Sequence, residues 1–166
     1  ARLRALCVPD HADNAGQQGV AADAGWTNDA TSSPLIESCE FSNNNLQNTS
    51  PYPYINIGLQ EVNSPTIRGN RIHGSGHHMS GGISIWAASN AVIEENFIEG
   101  CGYGILCYST GANPTIHDNH LHANTIHPDQ VNWGFGVACN GDNAPILTSN
   151  QIELHWYGVA AINGGR

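Results

Sequence analysis

The side chains best suited to chemistry lie in two segments of this chain. HGSGHHMSG (73–81) carries His73, His77 and His78, and HANTIHPDQVNW (122–133) carries His122, His127 and Asp129. Imidazoles titrate near neutral pH, where they serve as acid or base, and with a carboxylate they form a nitrogen and oxygen ligand set for zinc or another divalent metal. His77, His78, His127 and Asp129 are the candidate metal ligands, and the same four with Tyr103 are the candidate catalytic groups. The plainer reading is that loop histidines are solvated or bond the turns that carry them. No cofactor is expected; a divalent metal at that quartet is the exception these residues allow.

Segments so far apart meet only if the chain returns on itself regularly, and a repeat shows that it does. A nine-residue unit recurs five times, as SPLIESCEF (33–41), SPTIRGNRI (64–72), NAVIEENFI (90–98), NPTIHDNHL (113–121) and APILTSNQI (144–152). Its fourth position is aliphatic (Ile36, Ile67, Ile93, Ile116, Leu147), and its ninth is large and apolar (Phe41, Ile72, Ile98, Leu121, Ile152). The seventh is Asn70, Asn96, Asn119 and Asn150 in four copies, with Cys39 as the exception. A second pattern follows each unit: YINIGL (54–59), GISIWA (82–87), GILCYS (104–109), GFGVAC (134–139) and GVAAIN (158–163). Its period-two alternation marks a strand with one buried face. Each repeat thus supplies three short extended pieces and has no room for a helix.

Such units bury their apolar positions by stacking on copies of themselves, each coil about 4.8 Å above the last. The recurring Asn would stack at a bend, where its amide bonds the amides above and below and where Asn tolerates the bend conformation. On these motifs the sequence resembles the right-handed parallel β-helix of the pectin-lyase-like group over about residues 33–163. The resemblance implies an Asn ladder at the bend between the second and third strands of each coil. The expected fold is all-β, a single-stranded right-handed parallel β-helix of about five to six coils. Residues 1–32 would be a partial coil or an extended excursion, and 33–166 the coils proper.

In that geometry, loop lengths place the histidines. Counted from the ninth position to the next strand's first inward residue, they are 14 (Phe41 to Ile55), 11 (Ile72 to Ile83), 7 (Ile98 to Ile105), 14 (Leu121 to Phe135) and 7 (Ile152 to Val159). The long loops of coils two and four then flank the short loop of coil three, leaving a notch floored by Glu99 and Tyr103. The resemblance also implies that polysaccharide-cleaving members carry their acids on the outer face of the first sheet. Here the outward positions of that sheet are Asn56, Gly58, Ser84, Trp86, Leu106, Tyr108, Gly136, Ala138, Ala160 and Ile162, none of them charged. Glycoside hydrolysis needs two carboxylates across the bond, and calcium-dependent lyase chemistry needs several with a base, so both are disfavoured on this face. Trp86, Leu106 and Tyr108 read instead as a contact surface for another subunit or for sugar rings. On the third sheet, Ser42, His73, Glu99, His122 and Glu153 form an outward ladder beside Glu40, Arg71, Phe97, His120 and Gln151, a solvated face of cross-strand pairs.

Composition narrows the partners. The 166 residues include no Lys, and five Arg stand against fourteen carboxylates for a net charge of -9. That excludes the basic stripe needed to bind nucleic acid. Apolar runs fall far short of the ~18 residues of a membrane span, and the start has neither an initiator Met nor a signal-peptide core. Cys7, Cys39, Cys101, Cys107 and Cys139, an odd number without CxxC pairs, are expected to be free and mostly buried. The lysine-free, Asn- and Gly-rich composition suits a secreted or cell-surface bacterial protein. The function expected is a noncatalytic β-helix module, either carbohydrate-binding or self-assembling through its apolar outer sheet and open ends. The alternative is a carbohydrate-active hydrolase, lyase or epimerase working in the histidine notch.

Overall fold

Segments of three to seven residues, separated by turn formers, make eighteen short strands among the described residues. The computed structural model describes residues 4–6, 11–13, 20–23, 33–42, 44, 54–60, 64–74, 80–87, 90–127, 129 and 132–165. The strands wind as six coils. The first holds β1 (Arg4–Leu6), β2 (His11–Asp13) and β3 (Val20–Asp23), and the next holds β4 (Leu35–Glu37), β5 (Glu40–Ser42) and β6 (Tyr54–Gln60). Then follow β7 (Thr66–Arg68), β8 (Arg71–His73) and β9 (Ser80–Trp86), and β10 (Val92–Glu94), β11 (Phe97–Glu99) and β12 (Ile105–Tyr108). The last two coils are β13 (Thr115–His117), β14 (His120–His122) and β15 (Phe135–Asn140), and β16 (Ile146–Thr148), β17 (Gln151–Glu153) and β18 (Tyr157–Ile162). Each coil gives one strand to each of three six-stranded sheets. The first sheet is ordered β3-β6-β9-β12-β15-β18, the second β1-β4-β7-β10-β13-β16 and the third β2-β5-β8-β11-β14-β17.

Every pairing is parallel, joining a strand to its counterpart in the next coil, so like positions stack. Ile36, Ile67, Ile93, Ile116 and Leu147 form one aliphatic column, and Phe41, Ile72, Ile98, Leu121 and Ile152 a second. A third runs Ile57, Ile83, Ile105, Val137 and Val159. All but the last member of each column are buried, and each such side chain is worth about 1.5–3 kcal/mol relative to leaving it in water.

The third column corrects the loop count. Ile57 and Val137, rather than Ile55 and Phe135, stand in register with Ile83 and Ile105. Counted to the residue in register with Ile83 and Ile105, the spans before β6 and β15 are therefore each two residues longer than the alternation implied, the extra residues lying within the strands. A period-two pattern fits either choice, and only the pairing to β9 and β12 decides. Cysteine usage also differs in one place: Cys101, Cys107 and Cys139 are free and buried, whereas Cys39 is disulfide-bonded.

The bend between the second and third sheets carries the recurring Asn. Asn70 donates its backbone N–H and its Nδ2 to Asn96 Oδ1 at 3.0 and 2.9 Å, and Asn96 does the same to Asn119 at the same distances. Asn119 continues to Asn150 at 3.1 and 2.9 Å. Each Nδ2 also reaches back to a carbonyl of the preceding coil, from Asn70 to Ile36, Asn96 to Ile67, Asn119 to Ile93 and Asn150 to Ile116. In the coil where Cys39 holds the position, its backbone N–H donates to Asn70 Oδ1 at 3.0 Å. The bend conformation falls one residue earlier than expected. Ser38, Gly69, Glu95, Asp118 and Ser149 take positive φ of 54 to 60°, leaving each Asn free to use its amide wholly for stacking. A shorter column stands at the next bend, where Cys101 N–H donates to Asn124 Oδ1 at 3.0 Å and Asn124 Nδ2 lies 3.1 Å from His155 Nε2.

Two consequences are measurable. Asn96→Ala removes the donors and the acceptor at the middle of the ladder and strands buried groups on both neighbouring coils. It should cost on the order of 3 kcal/mol in denaturant unfolding, against about 1 kcal/mol for Asn150→Ala at the ladder's end. Burial lowers the His155 imidazole from its ordinary 6.5 to about 4, helped by the nearby His122. Its neutral form is the folded one, so this stability is present above pH 6.5 and is lost as pH falls towards 4. His155→Asn, matching Asn124 below it, should flatten the stability profile across that window.

Candidate functional site

The outer face of the first sheet and the loop before β15 enclose a groove of about 520 Å³. Strand register builds its floor. Trp86, Tyr108 and Asn140 stand on successive coils, with the Trp86 and Tyr108 rings 4.7 Å apart at 68°, edge to face. Leu106 is half-buried between them and the wall. The wall is Trp133, which stacks on Tyr103 with centroids 5.6 Å apart at 26°. Ile55 and Phe135, which the sequence assigned to the core, also line the groove, Phe135 while buried and Ile55 half-buried. Polar groups enter at the rim from Asp129 and Asn132 and at the far end from Asn140 and Asn163, whose amides are joined by a 3.0 Å hydrogen bond.

Outward register does not make every position of this sheet accessible. Asn56 is fully buried: it accepts a hydrogen bond from Asn44 Nδ2 at 3.0 Å and donates to Gly81 O at 2.8 Å. Ser84 and Ala138 are buried as well, and Trp86 and Tyr108 are the large side chains this face exposes.

The predicted site residues fall into separate places. His127 and Asp129 do meet: the Asp129 backbone N–H donates to His127 Nδ1 at 3.1 Å. The His127 ring is buried against Trp133, 5.6 Å between centroids. The Asp129 carboxylate accepts from Asn132 N–H at 3.2 Å and from Asn132 Nδ2 at 2.9 Å, closing the turn that presents Trp133. Both side chains therefore hold the wall in place. Tyr103, expected on an open floor, is buried, and burial pushes its phenol well above its usual range, so it stays protonated. His77 and His78 lie outside the described residues. Among the described residues no group of three or more His, Cys, Asp or Glu is arranged to hold a metal ion.

Glu99, His73 and His122 belong to the third sheet rather than to the groove. Glu99 sits between the two histidines, 2.8 Å from His73 Nδ1 and 3.8 Å from His122 Nδ1. One column over, Arg71 lies 5.1 Å above the Phe97 ring, and His120 Nε2 pairs with Glu153 at 2.9 Å. The second sheet carries a comparable row that the sequence did not single out. Glu37 pairs with Arg68, Arg68 reaches Glu94 at 4.0 Å, and Glu94 pairs with His117 at 3.1 Å. Trp133, Asn132 and Asn140 were also not singled out. Trp133 had a signal, an aromatic immediately before the Gly-opened strand GFGVAC.

The wall depends on a glycine. A Cβ on Gly81 would lie 2.5 Å from the Tyr103 ring carbon and hydroxyl, and that ring is clamped between β9 and Trp133. Gly81→Ala should destabilise the fold by about 1–3 kcal/mol through overpacking. Denaturant unfolding reads that cost, and Trp fluorescence should report the accompanying shift of Trp133.

Comparison with known proteins adds the family. No curated protein and no solved structure matches the chain. The three parallel sheets, the stacked coils and the Asn ladder agree with the family model for the right-handed β-helix region, which matches residues 12–166; the chain belongs to that family.

Proposed function

We propose that this protein is a noncatalytic β-helix module that binds neutral carbohydrate chains in the groove of its first sheet. The observation that carries the reading is the lining: Trp86, Tyr108 and Trp133 offer aromatic surface beside the amides of Asn132, Asn140 and Asn163. Pyranose rings have one apolar CH face for stacking and a rim of hydroxyls for amides and a carboxylate, which is the mixture this concave site presents. Among the described lining residues there is no Arg and Asp129 is present, while the whole chain carries a net charge of -9. Uronate chains are therefore disfavoured relative to neutral ones. The disulfide at Cys39 supports an oxidising, secreted or cell-surface setting.

The rival is a carbohydrate-active enzyme using His77, His78, His127, Asp129 and Tyr103, favoured by the presence of Asp129 in the lining. Against it, Asp129 is the one carboxylate among the described lining residues, and glycoside hydrolysis needs two. Calorimetric titration with neutral and uronate oligosaccharides distinguishes the readings. Binding of a neutral oligosaccharide should weaken about tenfold in Trp133→Ala and again in Tyr108→Ala, the equivalent of about 1.4 kcal/mol each. Release of new chain ends by the native protein, abolished in Asp129→Ala, would establish the enzyme instead.

A further inference from the structure

Two of the buried thiols stand one above the other in the middle of the first sheet. Cys107 in β12 is in register with Cys139 in β15, between Ile85 on one neighbouring coil and Ala161 on the other. Both side chains point inward, because Ile105 and Val137, two residues earlier in each strand, belong to the third aliphatic column and are fully buried. Neighbouring strands of a sheet lie about 4.8 Å apart. A disulfide joins Cα atoms roughly 4.4–6.8 Å apart and needs Cβ vectors that do not diverge. In-register positions on parallel strands meet both conditions.

The two thiols are also in contact through a hydrogen bond. That bond, with burial behind it, holds the Cys107 thiol well above its ordinary value, and the same bond pulls Cys139 below its own against the opposing effect of burial. Cys139 is thus the sulfur that ionises first. Cys101, the other free and buried thiol of the described residues, is placed differently: it donates to Glu99 O at 3.5 Å.

We infer that Cys107 and Cys139 are the site of a disulfide that staples the coil of β10–β12 to the coil of β13–β15, formed by exchange with glutathione disulfide or a similar small disulfide as the chain folds. Cys39 is already disulfide-bonded, so the setting that oxidised it offers this pair an oxidant. The Cys139 thiolate attacks one sulfur of the oxidant, forming a mixed disulfide and expelling one glutathione thiolate. Cys107 loses its proton to that thiolate and attacks the Cys139 sulfur, expelling the second glutathione. Two protein thiols are oxidised, one glutathione disulfide is reduced to two thiols, and both protein protons end on them. Exchange belongs to folding because the closed coils leave Cys107 0% and Cys139 2% exposed. Tyr108 and Asn140 follow the two cysteines in the groove floor, so the staple fixes the spacing of that floor, and it forms whatever the groove holds.

Refolding the whole chain from denaturant with reduced glutathione and glutathione disulfide, followed by alkylation and cleavage at aspartate without reduction, tests this. Asp118 and Asp129 lie between the two cysteines, so the bond appears by mass spectrometry as one species joining both segments. That species should persist in Cys101→Ser and be absent from Cys107→Ser. The closed loop spans residues 107 to 139, and its lost unfolded-state entropy should raise the thermal midpoint. The gap between oxidised and reduced protein should be about 10 °C wider in the native chain than in Cys139→Ala, where oxidation still makes the bond at Cys39. Recovery of both cysteines alkylated from a chain refolded to native far-UV dichroism would overturn the inference. So would a linked species lost in Cys101→Ser, or a gap no wider in the native chain than in Cys139→Ala.

Discussion

Everything in this molecule hangs on satisfying a buried bend once per coil. A solenoid turns a corner inside its own stack, so the polar groups at that corner face neighbouring coils and not water, and each one left unpaired costs about 1–3 kcal/mol. An Asn amide matches the need because one short side chain holds an acceptor and two donors. In each coil from Asn70 to Asn119 the Oδ1 accepts from the coil before, and the Nδ2 spans both neighbours. Moving the positive φ to the preceding residue, whether Ser38, Gly69, Glu95, Asp118 or Ser149, lets the bend be made without spending the Asn on it. With every bend held in register, the aliphatic columns stack without choice.

A regular stack is uniform, so distinct surfaces arise where it departs from regularity. The departure that matters is the long loop before β15, which folds Trp133 over Tyr103 and converts a flat sheet into a groove. Residues with the chemistry of acids and bases serve that shape. His127 and Asp129 bond each other through the backbone, and Asp129 closes the turn with Asn132. Gly81 makes the space that Tyr103 fills.

The three faces are also electrically unlike. Charged side chains gather on the second sheet, in the row from Glu37 to His117, and on the third, around Glu99 and Glu153. A hydrogen bond to Asp118 holds His117 above its ordinary value, which keeps that row paired as pH approaches neutrality. Exposed pairs of this kind contribute little each. Their effect is to keep two faces hydrated and leave the first sheet as the apolar one.

The solenoid was legible because its determinants are local and repeated: aliphatic residues at two fixed positions, Asn at a third, and period-two strands after them. Residues 33–163 carry that signal five times, and the family match over residues 12–166 and the parallel sheets agree with it. What the tertiary structure alone decided was phase and enclosure. Ile55 and Ile57 are equivalent under a two-residue period, and only pairing with Ile83 selects Ile57. Asn56 and Tyr103 look outward or open in sequence, yet Asn56 is buried with its amide bonded to Asn44 and Gly81, and Tyr103 is buried against Trp133. A histidine in a loop carries no mark of whether it will be solvated or packed; for His127 the fold sets the ring against Trp133 and buries it. Periodicity is written residue by residue, whereas burial belongs to whatever distant segment arrives on top.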